Sequence, residues 1–127
     1  EAAEHRVAAY AIVPDEPREL AARLRAHLGE AGLDAVIVNG GTGLAPRDTT
    51  YETVVELLDK HIDGFGELFR MLSYQEVGPA AMLSRATAGV AGGKILVSLP
   101  GSTAAVELAM TKLVLPELGH MVQLVRG

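Results

Sequence analysis

The sequence predicts an α/β fold: a three-layer αβα domain around a mostly parallel central sheet, with residues 1–127 forming one unit. Three observations predict it. Short apolar, β-branched runs alternate with helix-period segments along the chain, an alternation that favours parallel strands joined by crossover helices. Two of those runs, Ala35-Val36-Ile37-Val38 and Ile95-Leu96-Val97-Ser98-Leu99, read as strands buried on both faces. A length of 127 residues with 49% hydrophobic and 21% charged residues is enough for one core and excludes a disordered tail.

The elements follow in chain order. His5 to Val13 reads as a strand that stops at Pro14, and Pro17 suits the first turn of a helix. Leu20, Leu24, Leu28 and Ala31 share a helical face, with Gly32 as the C-terminal cap. The strand at 35–38 runs into Asn39-Gly40-Gly41. Thr49 and Glu52 have the spacing of a capping box, so a helix is expected to start there, with Val54, Val55, Leu58 and Ile62 on its apolar side. Gly64 and Gly66 interrupt, Glu67 to Leu72 is helical, and Pro79 to Arg85 forms another short helix. After the strand at 95–99, Pro100-Gly101 turns the chain, Ser102 caps a helix over Ala104 to Leu113, and Pro116 ends that segment. A last short helix runs from Leu118 to Leu124. The first element begins almost at residue 1, so the sheet is expected to lack a strand and a helix upstream.

Composition removes several classes of function. Lys plus Arg total 11 against 16 for Asp plus Glu, a net charge of −5 without a basic run, which argues against nucleic acid as a partner. With aromatics at 4% and no Trp, base stacking has little to work with. The absence of Cys excludes disulfides, thiolate metal sites and cysteine nucleophiles, and makes the cytoplasm the default setting. No apolar run approaches the roughly 20 residues of a membrane helix. His5, His27, His61 and His120 lack the spacing of a zinc site, and Ser73 and Ser84 have no neighbouring His and Asp to activate them. Phe65, Phe69, Met71 and Leu72 read as core or subunit interface. A mean hydropathy of +0.24 fits a chain that buries a face in an oligomer.

Two segments share one design: a buried strand, a glycine turn, then a capped helix. One carries Gly40, Gly41, Thr42 and Gly43; the other carries Pro100, Gly101 and Ser102. Glycines let a ligand approach the backbone, and open α/β sheets bind ligands at the C-terminal ends of strands, so a phosphate-bearing ligand between the turns is one reading. The other is that these glycines only make turns, since neither segment completes a dinucleotide fingerprint or a P-loop. Asp48 lies beside the first turn, where a carboxylate would repel phosphate unless Mg²⁺ stood between them. Its alternative role is a charge near a helix N-terminus. Asp15 ends the first strand and either joins Asp48 at a metal–nucleotide complex or caps the following helix, as Glu16 also could. Arg47 either neutralises a phosphate or pairs with a neighbouring acid. Glu52 reads as a capping residue.

The run Asn39-Gly-Gly-Thr-Gly-Leu-Ala-Pro-Arg-Asp-Thr-Thr-Tyr-Glu52 resembles the molybdenum cofactor biosynthesis family of MoaB and MogA, which includes the G domains of gephyrin and its plant counterpart. Val13-Pro-Asp-Glu16, Gly64 to Ser73, Leu83-Ser-Arg85, Leu99-Pro-Gly-Ser102 and Leu115-Pro-Glu-Leu-Gly-His120 extend the likeness along nearly the whole chain, and the later segments are more MoaB-like. The resemblance implies a molybdopterin-binding fold, trimers or hexamers, and contacts with other molybdenum cofactor biosynthesis proteins. It further implies adenylylation of molybdopterin by Mg-ATP, giving adenylyl-molybdopterin and pyrophosphate. The family's functional aspartates fall on Asp15 and Asp48, its glycine loop on Gly40 to Gly43, and its second ligand turn on Pro100, Gly101 and Ser102. Members begin with a strand, a loop and a helix ahead of the segment that starts here at Glu1, so the N-terminal strand is expected to be missing from this chain. A non-catalytic molybdopterin-binding or scaffold protein is the alternative. A related nucleotide pyrophosphatase group is opposed by Thr42, where that group carries Leu.

Overall fold

The structure, a computed structural model, describes residues 5–14 and 16–127. A four-stranded sheet is flanked by helices on both faces. In chain order the elements are α1 (Pro17–Leu28), β1 (Ala35–Asn39), α2 (Thr50–Leu57), β2 (Lys60–His61) and α3 (Asp63–Val77). A 3-10 helix (Gly78–Leu83), β3 (Thr87–Ala91), β4 (Lys94–Leu99), α4 (Thr103–Ala109), a π-helical turn (Met110–Val114) and α5 (Leu115–Arg126) complete the chain. The strand order is β1-β4-β3-β2. Among the described residues no helix is long and apolar enough to cross a membrane.

The α/β class and its three layers match the sequence expectation, but the sheet is mixed rather than mostly parallel. β1 and β4 are parallel, whereas β3 is antiparallel to both β4 and β2. The cause is local. Gly92 and Gly93, at φ 57° and 77°, make a two-residue hairpin turn between β3 and β4, which a crossover connection cannot do.

Side chains of β4 divide the core. Ile95, Val97 and Leu99 face Phe65, Phe69, Ala109, Val114 and Leu118, while Leu96 meets Leu24 and Val54 across the sheet. The central β4 is thus buried on both faces, as expected. β1 is not: Ile37 is 38% exposed. Its only ladder partner among the described residues is β4, so its other edge opens onto a cavity of about 770 Å³. The segment 5–14 borders that cavity from the far side and forms no strand, contrary to expectation; Tyr10 and Ile12 are 84% and 85% exposed. Among the described residues this segment pairs with no strand, and β-propensity alone does not produce one.

Two helices are longer than the sequence suggests. α3 passes through Gly64 and Gly66 because Phe65 and Phe69, one turn apart, are buried against the sheet with ring centroids 6.4 Å apart. Phe69→Ala is expected to lower stability by about 3–5 kcal/mol, read from the urea midpoint. The final helical stretch passes through Pro116 instead of ending there, and the π turn (Met110–Val114) ends two residues before that proline. A wide turn accommodates a ring that lacks an N–H and crowds the preceding carbonyl. α1 ends at a Gly29 cap rather than running to Gly32.

Candidate functional site

β1 and β4 pair in parallel with Asn39 opposite Leu99, so both strands end level and deliver their turns to one edge of the sheet. The Gly40 amide donates to the Leu99 carbonyl at 2.8 Å. A Cβ on Gly101 would stand 3.4 Å from the Gly40 Cα, so the two turns touch. The expectation that Gly40 to Gly43 and Pro100 to Ser102 meet at the strand ends is therefore met.

The first turn requires its glycines. Gly41 has φ 66°, and a Cβ there would lie 2.8 Å from the Thr50 Cβ and nearer still to its hydroxyl. Its carbonyl accepts from the Thr50 amide at 3.1 Å, which fastens the loop to the start of α2. Thr42 is buried and Gly43 half-buried. On the other turn, the Ser102 hydroxyl accepts from the Ala105 amide at 3.2 Å and caps α4, as expected. Pro100 and Ser102 also border a cavity of about 180 Å³ closed by Phe69, Ala81 and Leu108.

Asp48 is half-buried against the glycine loop. Its backbone amide donates to the Ala45 carbonyl at 2.8 Å, and its carboxylate Oδ2 accepts from the Ala45 amide at 3.2 Å. The same oxygen lies 2.9 Å from where a Gly43 Cβ would be. Oδ1 has no hydrogen-bond partner among the described residues, so one carboxylate oxygen remains to take a cation. A single carboxylate plus phosphate oxygens is an ordinary magnesium environment. Among the described residues no group of three or more His, Cys, Asp or Glu converges. Arg47 is exposed and makes no ion pair among the described residues. Asp15 lies outside the described residues; the helix cap is made by Glu16, whose carboxylate accepts from the Glu19 amide at 2.9 Å.

The capping box at Thr49 is not formed. Thr49 makes no side-chain cap, and Glu52 pairs instead with Arg85. Sequence reasoning assigns Arg85 no role of its own, yet it is the hub of the loop. It donates to the carbonyls of Gly43 at 2.7 Å and Asp48 at 2.8 Å, and it lies over the Tyr51 ring at 5.0 Å. No local spacing announces this, because Gly43 is 42 residues away from Arg85 in the chain. The only sequence signal is Leu83-Ser-Arg85 as part of the family likeness.

Two glycine turns thus touch at the ends of parallel strands in an α/β domain, with a carboxylate beside one of them, at the sheet edge where open α/β folds bind their ligands. A family described as "Probable molybdopterin binding domain" matches residues 1–120. Molybdenum cofactor biosynthesis protein B of Halalkalibacterium halodurans is 55% identical over 124 residues, covering 97% of this chain and 73% of that protein. A crystal structure of a molybdenum cofactor biosynthesis protein B superposes with a TM-score of 0.95 at 50% identity, over 98% of this chain and 78% of the other. The molybdopterin biosynthesis enzyme MoaB from Thermus thermophilus gives 0.84 at 45% identity, over 94% and 74%. The chain belongs to this molybdopterin-binding domain family of MoaB and MogA proteins.

Proposed function

We propose that this domain serves molybdenum cofactor biosynthesis by binding molybdopterin and adenylylating it with Mg-ATP. The observation that carries the reading is the contact between the two glycine turns, with the Asp48 carboxylate held over one of them. The terminal phosphate oxygen of molybdopterin bonds to the α-phosphorus of ATP. The bond from that phosphorus to the bridging oxygen of the β-phosphate breaks, and pyrophosphate leaves with the electron pair. The nucleophile is already anionic, so no general base is needed, which suits a site without a paired His or Cys.

Catalysis is then positioning and charge stabilisation. The loop at Gly40 to Gly43 brings backbone amides close to anionic groups, and the Pro100-Gly101 turn forms the adjoining wall. Arg47, exposed beside the loop, neutralises phosphate charge. Asp48, with Asp15 as its partner in this proposal, would hold Mg²⁺, which screens the phosphates from the carboxylates and from each other. The test is pyrophosphate release from Mg-ATP, which should require molybdopterin; molybdopterin-independent release, or none at all, would overturn the reading.

A homo-oligomer is supported by a separate observation. Leu68, Met71, Tyr74 and Met82, on α3 and the 3-10 helix after it, are between 48% and 76% exposed. This much apolar surface on one region suits a subunit contact, so the reading includes a homo-oligomer, a trimer or a hexamer. Light scattering should return three or six times the 13.3 kDa chain mass, and a species at the chain mass would contradict it.

A further inference from the structure

We propose that Arg85 is a positioning residue that turns the peptide planes of the glycine loop so that its amides face the phosphates of the ligand; this rests on the adenylyl-transfer reading above. The guanidinium collects carbonyls. Nη2 donates to Gly43 at 2.7 Å and to Asp48 at 2.8 Å; Nε donates to Gly43 at 3.1 Å and to Thr42 at 3.4 Å. The Arg85 backbone amide adds a bond to the Thr42 carbonyl at 3.1 Å. The remaining nitrogen pairs with Glu52, and the Tyr51 ring packs against the guanidinium plane. Donors at one side chain thereby take the carbonyls of three loop residues.

In a trans peptide the carbonyl and the following N–H point in opposite directions. With the Thr42, Gly43 and Asp48 carbonyls drawn toward Arg85, the amides of Gly43, Leu44 and Thr49 are turned away from it. None of these three amides donates to a protein acceptor among the described residues, whereas those of Ala45, Asp48 and Thr50 all do. The loop thus divides into amides spent on its own structure and amides left for a ligand, and Arg85 sets the division. Lys in its place would keep the charge but lose the fork that spans separate carbonyls and stacks on Tyr51.

Inorganic pyrophosphate is the probe and amide hydrogen exchange the readout. In the parent protein the Gly43, Leu44 and Thr49 amides should exchange fast, while Ala45 and Asp48 are protected. Pyrophosphate with Mg²⁺ should slow the first group at least tenfold. Arg85→Lys should keep the exchange of Ile95 to Leu99 unchanged but lose the pyrophosphate effect at the loop. Arg85→Ala should lose it too and regain it with millimolar guanidinium, a rescue that a loosened structure alone does not give. Protection undiminished in Arg85→Lys, no rescue of Arg85→Ala, or a parent loop indifferent to pyrophosphate would each overturn the proposal; the last needs no variant to fold. Because no pterin is present, these outcomes are independent of adenylyl transfer: pyrophosphate protection without transfer sinks the enzymatic reading alone, and transfer that survives Arg85→Lys with loop protection intact sinks this one alone.

Discussion

Asp48→Asn is expected to fold and melt like the parent while molybdopterin-dependent pyrophosphate release falls by about 10²- to 10³-fold, the scale on which one lost electrostatic group acts at a reacting phosphate. The two side chains have nearly the same shape. The Asn carbonyl oxygen can still accept from the Ala45 amide, so the bond that closes the 45–48 turn survives. What is lost is the negative charge at the carboxylate oxygen that has no hydrogen-bond partner among the described residues. Molybdopterin binding should persist, since the glycine loop and the Pro100 turn are untouched. The measurement is steady-state pyrophosphate release beside a thermal melt of both proteins. Turnover within twofold of the parent would remove Asp48 from the chemistry, and a collapsed melt would make it structural instead.

Gly41→Ala is expected to have the largest effect on stability among the loop positions. At φ 66° an L-residue costs about 1–2 kcal/mol. The new methyl would also overlap Thr50, at 2.8 Å from its Cβ, which adds roughly 1–3 kcal/mol as the start of α2 shifts. Two glycines act as controls. Gly40 has φ 107°, but an added methyl there would meet no heavy atom within 4 Å, so Gly40→Ala carries strain without overlap. Gly64, inside α3, has neither, and Gly64→Ala should raise stability by roughly 0.5–1 kcal/mol. Urea midpoints should rank Gly64→Ala above the parent, then Gly40→Ala, then Gly41→Ala. A Gly41→Ala protein as stable as the parent would mean that Thr50 does not pack where the geometry puts it.

Parts of this site are legible in the sequence because their causes are local. A Pro after an acidic cap starts α1, Ser102 caps α4, and an apolar run ending in glycine marks β1 and β4. The rule that open sheets bind at strand ends then brings the two turns together without any coordinates. What escapes has distant causes. β3 reads Thr-Ala-Gly-Val-Ala, poor in strand formers, because β2 and Leu58 press on it: a Cβ on Gly89 would be 2.9 Å from the Leu58 methyls. The passage of helices through Gly64 and Pro116 is decided by tertiary burial and by a π turn, not by propensity. The strand expected over 5–13 fails because strand formation needs a neighbour as well as a pattern. Glu52 misleads for the opposite reason: its spacing from Thr49 promises a cap, but Arg85, reached only through the fold, takes the carboxylate.

Label transfer follows adenylylation of the pterin itself. With ATP labelled at the α-phosphate, molybdopterin and Mg²⁺, the label should appear on the pterin as an adenylyl group in step with the pyrophosphate released, and Asp48→Asn should lower both together by the same about 10²- to 10³-fold. Label recovered only in ATP or free AMP, with the pterin unlabelled, would contradict a transferase site at the touching turns.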